Sequence, residues 1–208
     1  MRWSVFHAAV RELPWFDLQS LKTLFPDEHR TLPVQLSRWK RSGAVLQLRR
    51  GLYTLSEQYR SVPVHAPALA NVLYEPSYIS LEWAMSWHGV IPEYATLLTS
   101  VTPRETARFG NAFGAFSYRT VRPRLFHSYR AERIMEIEVF IATPVKAVCD
   151  YLYLTPGPWN ADRIDELRLD PDSLPAAEEL ERMAAEFESP KVEHAVGLIA
   201  ALLREEKT

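Results

Sequence analysis

A single cysteine in 208 residues, Cys149, excludes an intrachain disulfide and any zinc site built on several thiolates. That economy of thiols suits a reducing compartment. The six histidines, at positions 7, 29, 65, 88, 127 and 194, show no metal-ligand spacing. Seven glycines are scattered, and none belongs to a phosphate-cradling loop. No apolar run approaches the length of a membrane span. Near the start, His7, Arg11 and Glu12 interrupt the apolar stretch that a signal peptide requires. The expectation is a cytoplasmic protein with no membrane partner, no metal and no cofactor.

What is present has the balance of a soluble globular chain, 47% hydrophobic and 24% charged. The net charge of −2 hides a gradient. Residues 1–60 carry ten Lys/Arg against five Asp/Glu, residues 61–154 carry eight of each, and residues 155–208 carry six against thirteen. A basic first third beside an acidic tail points to a polyanion-binding module.

The local pattern of that first third sharpens the point. Ser4 is placed to cap a helix whose apolar face is Phe6, Ala9, Val10 and Leu13, ended by Pro14. Asp17 caps a second helix with Leu18, Leu21, Leu24 and Phe25 inward, closed by Pro26-Asp27. Thr31 caps a third, with Pro33 in its first turn, Leu32, Leu36 and Trp39 inward, and Gly43 at its end. Val45–Leu48 and Leu52–Leu55 then flank Arg49-Arg50-Gly51, two strands joined by a tight turn. Three helices followed by a hairpin is the order of a winged helix–turn–helix, expected over residues 1–58.

On the third helix, Gln35, Arg38 and Arg41 recur at i, i+3 and i+6. That places them on an outer face, where a recognition helix meets the major groove. Glutamine pairs with adenine, and arginine with guanine or phosphate. Arg49 and Arg50 occupy the tip of the wing. From Arg30 to Arg60 there are seven basic residues and one acidic residue, Glu57, a density that favours counterion release on DNA. The expected DNA contacts are Arg30, Thr31, Gln35, Arg38, Lys40, Arg41, Arg49 and Arg50.

Residues 62–208 are expected to form a larger α+β domain with a mostly antiparallel sheet and C-terminal helices. The pattern predicts helices at about 67–74 and 80–89, the second capped by Ser80 and stopped by Gly89. Trp83 and Trp87, at i and i+4, are expected in the core. Strands are expected at 96–101, 116–121, 125–130 and 135–142. A helix capped by Thr143 follows, with Val145, Val148, Cys149 and Leu152 inward, so Cys149 is a packing residue. Two acidic helices, about 173–187 and 189–206, close the chain. Arg104, Arg108, Arg119, Arg122 and Arg124 cluster around the strands and offer a second basic surface.

Three stretches carry a family resemblance. Trp39–Gly43 with Leu48–Tyr53, Pro76–Leu81 with Gly89–Glu93, and Ala142–Ala147 with Asp150–Leu154 together resemble AbiEi-type antitoxins of type IV toxin–antitoxin, or abortive-infection, systems. An acidic residue usual before the lysine of the last motif is replaced here by Val145. The resemblance implies a transcriptional regulator that binds double-stranded DNA at promoter repeats of its own operon and represses it. It also implies a cognate nucleotidyltransferase-like toxin, which the protein counteracts.

An enzyme is the alternative. Glu136, Glu138, Lys146 and Asp150 have the acid-and-lysine character of a metal-dependent nuclease, which a winged helix would target to nucleic acid. Against that, Glu136 and Glu138 alternate with apolar residues on a half-exposed strand, and Lys146 and Asp150 are spaced as an ordinary helical ion pair. A binding protein without catalytic residues is the expectation.

Overall fold

Two apolar clusters organise the chain, and one hairpin contributes to both. The computed structural model describes residues 1–28 and 30–205, with the backbone alone at 205. His29, and Glu206 at the end of the last expected helix, lie outside the described residues.

The first cluster is built from α1 (Trp3–Val10), β1 (Phe16–Asp17), α2 (Leu18–Leu24), a 3₁₀ turn at Pro26–Glu28, α3 (Leu32–Arg41), β2 (Val45–Arg49) and β3 (Leu52–Leu55). The strands form an antiparallel sheet in the order β1-β3-β2. Phe6 stacks on Trp39 with centroids 4.4 Å apart and meets Phe16 edge-on at 5.6 Å. Leu21, Leu32, Leu36, Val45 and Leu55 fill the space around them.

Asp17 caps α2 as expected, accepting from the backbone N–H groups of Gln19 at 2.7 Å and Ser20 at 2.8 Å. Burial alone would raise its pKa, but the hydroxyl and N–H of Ser20 and the N–H of Gln19 hold the carboxyl below its usual value. Ser4 does not cap α1. The helix begins at Trp3 with Arg2 preceding it and no side-chain cap. Trp3 packs edge-on against Trp39 and Tyr59, both at 5.2 Å, which draws the first turn inward before Ser4 is reached. Thr31 precedes α3 without capping it, because its hydroxyl donates to the carboxylate and carbonyl of Glu28. Gly43 and Gly51 hold φ values of +77° and +83°, the left-handed region that the helix stop and the hairpin turn require.

The second cluster gathers α4 (Ala66–Leu73), β4 (Tyr78–Ile79), α5 (Leu81–Trp87), β5 (Leu98–Thr102), β6 (Ala107–Asn111) and β7 (Gly114–Thr120). It continues with β8 (Tyr129–Ile134), β9 (Ile137–Ala142), α6 (Pro144–Leu154), α7 (Ala161–Asp165), α8 (Ala177–Glu186) and α9 (Pro190–Glu205). The strands form one sheet in the order β6-β7-β5-β4-β9-β8. Pairs β4–β5, β6–β7 and β8–β9 are antiparallel, while β4–β9 and β5–β7 are parallel. The molecule is thus α+β, with a mixed sheet and C-terminal helices. Helix α4 packs on the centre of this sheet, and α8 and α9 pack on α6.

Several expected elements shift. The strand expected at 125–130 is instead a short turn at Pro123–Leu125 followed by β8. Met135 and Glu136, expected in a strand, form the β8–β9 turn at φ +49° and +63°. Strands β6 and β8 are the sheet edges, where charged residues such as Arg108, Arg130 and Arg133 are exposed; β6 alternates half-buried with exposed residues over only five positions, and β8 does not alternate cleanly. Ser80 precedes α5 but gives its hydroxyl to Asp150 rather than to the helix. Trp83 and Trp87 stack with ring planes 9° apart, yet Trp87 is 47% exposed and is not a core residue. Cys149 is fully buried, and burial pushes its thiol pKa well up, as suits a packing residue. Among the described residues, no helix is long and apolar enough to cross a membrane.

Candidate nucleic-acid interface

Helix α3 turns Leu32, Leu36 and Trp39 into the first core. With about 100° between successive residues, the opposite face carries Val34, Ser37, Arg38 and Arg41. All four are exposed, and Val34 is 58% exposed. Arg38 and Arg41 make no ion pair or side-chain hydrogen bond among the described residues, so both guanidinium groups project free. Gln35 lies at the border of the buried face and is half-buried. Lys40 leans the other way, its ammonium donating to the Gln47 side chain on β2 at 2.9 Å. The outward surface of α3 is therefore centred on Val34, Ser37, Arg38 and Arg41 rather than on a Gln35–Arg38–Arg41 row. Arg30 is exposed before the helix, and Thr31 is occupied by Glu28.

The hairpin tip is set by a bulge. Gln47 faces Tyr53 and Arg49 faces Leu52, leaving Leu48 as the extra residue. Leu48 and Leu52 both enter the second core at 3% exposure. Arg49 and Arg50 remain exposed at the tip and share a hollow of about 310 Å³ with Tyr74, Glu75, Arg104 and Phe109. Arg104 is held there, its guanidinium 4.3 Å from the Tyr74 ring centroid and donating to the Glu75 carbonyl at 2.8 Å. The basic tip thus continues onto the second body through Arg104, which sequence pattern alone had placed only near a strand. The other arginines of that group divide. Arg119 donates to the Leu154 carbonyl, and Arg124 pairs with Glu188 at 2.7 Å. Arg108 and Arg122 are exposed.

The acid-and-lysine residues considered for catalysis are not brought together. Glu136 lies 3.6 Å from Arg133 in an exposed turn, and Glu138 is exposed on β9. Lys146 and Asp150 pair one turn apart on α6 but are completely buried, unlike an ordinary surface pair. Asp150 also accepts from the Tyr78 and Ser80 hydroxyls, each at 2.9 Å. The Lys146 ammonium lies 4.6 Å from the Phe187 ring centroid. Burial pushes the Asp150 carboxyl upward against the pull of Lys146 and of these donors. Burial and the adjoining carboxylate drive the Tyr78 phenol far above its normal range. The network ties β4 to α6 and α8, and no solvent reaches it. Tyr78 and Ser80 carry no sequence signal for this role, since both occur in a stretch that reads as the lead into a helix. Among the described residues, no group of three or more His, Cys, Asp or Glu side chains is placed to hold a metal.

Comparison of the chain with protein-family models and with characterised proteins gives no match.

Proposed function

We propose that residues 1–58 are a winged helix–turn–helix and that the protein binds double-stranded DNA through it. The observation that carries this reading is the outward face of α3, with Arg38 and Arg41 exposed and without an ion pair or side-chain hydrogen bond among the described residues. The element order, in which a short strand precedes α2 and pairs with β3, supports it, because this arrangement braces α3 on one side and leaves the other open. A helix so presented fits the major groove, with arginines for guanine or phosphate and Val34 for a thymine methyl group. Arg49, Arg50 and Arg104 then meet the backbone beside it.

The resemblance to AbiEi-type antitoxins extends the proposal. The protein represses its own operon at promoter repeats and counteracts a nucleotidyltransferase-like toxin in the cytoplasm, with residues 62–208 forming the antitoxin domain. Fluorescence anisotropy with DNA from upstream of the protein's own gene, against random DNA of equal length, tests the first part. Tighter binding to the upstream DNA is expected, and equal binding rejects operator recognition. Co-expression with a nucleotidyltransferase-like protein encoded beside it tests the second part, with restored growth as the expected result.

A further inference from the structure

A cavity of about 440 Å³ opens where the two bodies meet, a volume within the range of small-molecule sites. Trp15, from the segment that leads into β1, contributes one part of its lining. Phe126, Tyr129 and Phe140 contribute another, with Tyr129 set edge-on to Phe140 at 6.0 Å and 5.3 Å from Phe126. Phe140 is 45% exposed although it lies on a central part of the sheet's strand β9. The same face of β9 carries Glu138, and Glu75 lies on the lining beside Pro76 and Ser77.

The polar groups of the lining restrict what fits. Glu75 and Glu138 are exposed carboxylates with no ion pair among the described residues, and no Lys, Arg or His lines the cavity. Ser77 is 7% exposed, and its buried hydroxyl has no hydrogen-bond partner among the described residues. A peptide strand is an unsuitable occupant. β9 lies between β4 and β8, and where the short β4 leaves it uncovered at Phe140, the Asn71 side chain accepts from the Phe140 N–H at 2.7 Å and donates to its carbonyl at 3.2 Å. Aromatic faces attract cations and apolar groups, and two carboxylates repel anions.

We propose that this cleft is a binding site for a lipophilic organic cation, seated between the aromatic rings with its charge toward Glu75 and Glu138. The residues of the site lie outside α3 and the hairpin tip, and Glu75 alone also borders the hollow that holds Arg49, Arg50 and Arg104.

Two ions of the same shape and opposite charge, tetraphenylphosphonium and tetraphenylborate, test it by calorimetric titration of the full-length protein without DNA. Saturable binding of one tetraphenylphosphonium per chain is expected, with tetraphenylborate at least tenfold weaker. Glu75→Gln/Glu138→Gln, at exposed positions and with unchanged circular dichroism, is expected to weaken the cation about tenfold or more. Phe140→Ala is expected to weaken it as well. The cation is also expected to perturb tryptophan fluorescence in the natural protein and not in Trp15→Phe. Equal binding of the two ions overturns the proposal, as does no binding of either at millimolar concentration. Full cation affinity in Glu75→Gln/Glu138→Gln overturns it too.

Discussion

The side-chain amide of Asn111, at the end of β6, donates to the carbonyl of Leu48, in the bulge of β2, at 3.2 Å. Sixty-three positions apart in sequence, these residues stitch the hairpin of the first body to the edge of the second sheet. Leu48 and Leu52 bury their side chains in the second core from the same hairpin. The hairpin therefore has two duties, closing one core and joining the other.

Unfolding is accordingly expected to be a single transition. Leu48→Ala should cost about 2–5 kcal/mol, as for other buried leucines, and Asn111→Ala about 1 kcal/mol, the net worth of one hydrogen bond. Urea denaturation followed by near-UV and far-UV circular dichroism measures both. Two separate transitions, with Leu48→Ala moving only one of them, would show that the bodies fold independently.

On α3, Arg38→Ala and Arg41→Ala should reduce affinity for the upstream DNA. Whichever arginine reads a base should lose about 1–3 kcal/mol of discrimination against random DNA. Gln35→Ala should matter less, because Gln35 sits at the border of the buried face. Anisotropy titrations of the three variants separate these cases, and a dominant effect at Gln35 would show that the helix is presented in a different rotation.

At the hairpin tip, Arg49→Ala, Arg50→Ala and Arg104→Ala should each lower the log–log salt dependence of DNA binding by about one unit where a phosphate contact is lost. An effect at Arg104 equal to that at Arg49 would extend the DNA surface onto the second body. No change at Arg104 would confine the contact to the first 58 residues.

Removing one partner of the buried pair should be severe. Lys146→Ala leaves the Asp150 carboxylate without its cation in the core, and a loss of about 3–5 kcal/mol is expected. Replacing both by apolar residues, as in Lys146→Met/Asp150→Leu, should recover much of that loss, although the Tyr78 and Ser80 hydroxyls then lack their acceptor. Chemical denaturation of the two variants decides it. A double variant no more stable than the single one would show that the two hydroxyls carry as much as the ion pair.

Asp17→Ala should cost about 0.5–2 kcal/mol at neutral pH through loss of the α2 cap. The Asp17 carboxyl is held below its ordinary value. Its contribution is therefore complete above the unfolded pKa of about 3.9 and fades as pH falls through the lower folded value. The stability gap between the natural protein and Asp17→Ala should narrow in acid below about pH 4. A gap that stays constant to pH 2 would mean that the cap acts without its charge.

Sequence alone determined the helices whose apolar residues repeat strongly. Leu32, Leu36 and Trp39 placed α3, Asp17 identified the start of α2, and Gly43 and Gly51 marked the stop and the turn, because each effect acts over a few neighbouring residues. The basic character of α3 and the hairpin tip was legible for the same reason. The tertiary structure alone decided the rest. Strand β1 is two residues long and exists because β3 lies beside it. Edge strand β8 lacks a clean alternation of burial, and β6 alternates only between half-buried and exposed residues over five positions. Local spacing made Lys146 and Asp150 a helical pair, while only packing by β4 and α8 buried them and added Tyr78 and Ser80. Trp15, Ser77 and Phe140 share one cavity although no local pattern links them. Proximity between distant segments is set by how the two cores close over the hairpin, and the period of a single helix or strand contains no record of it.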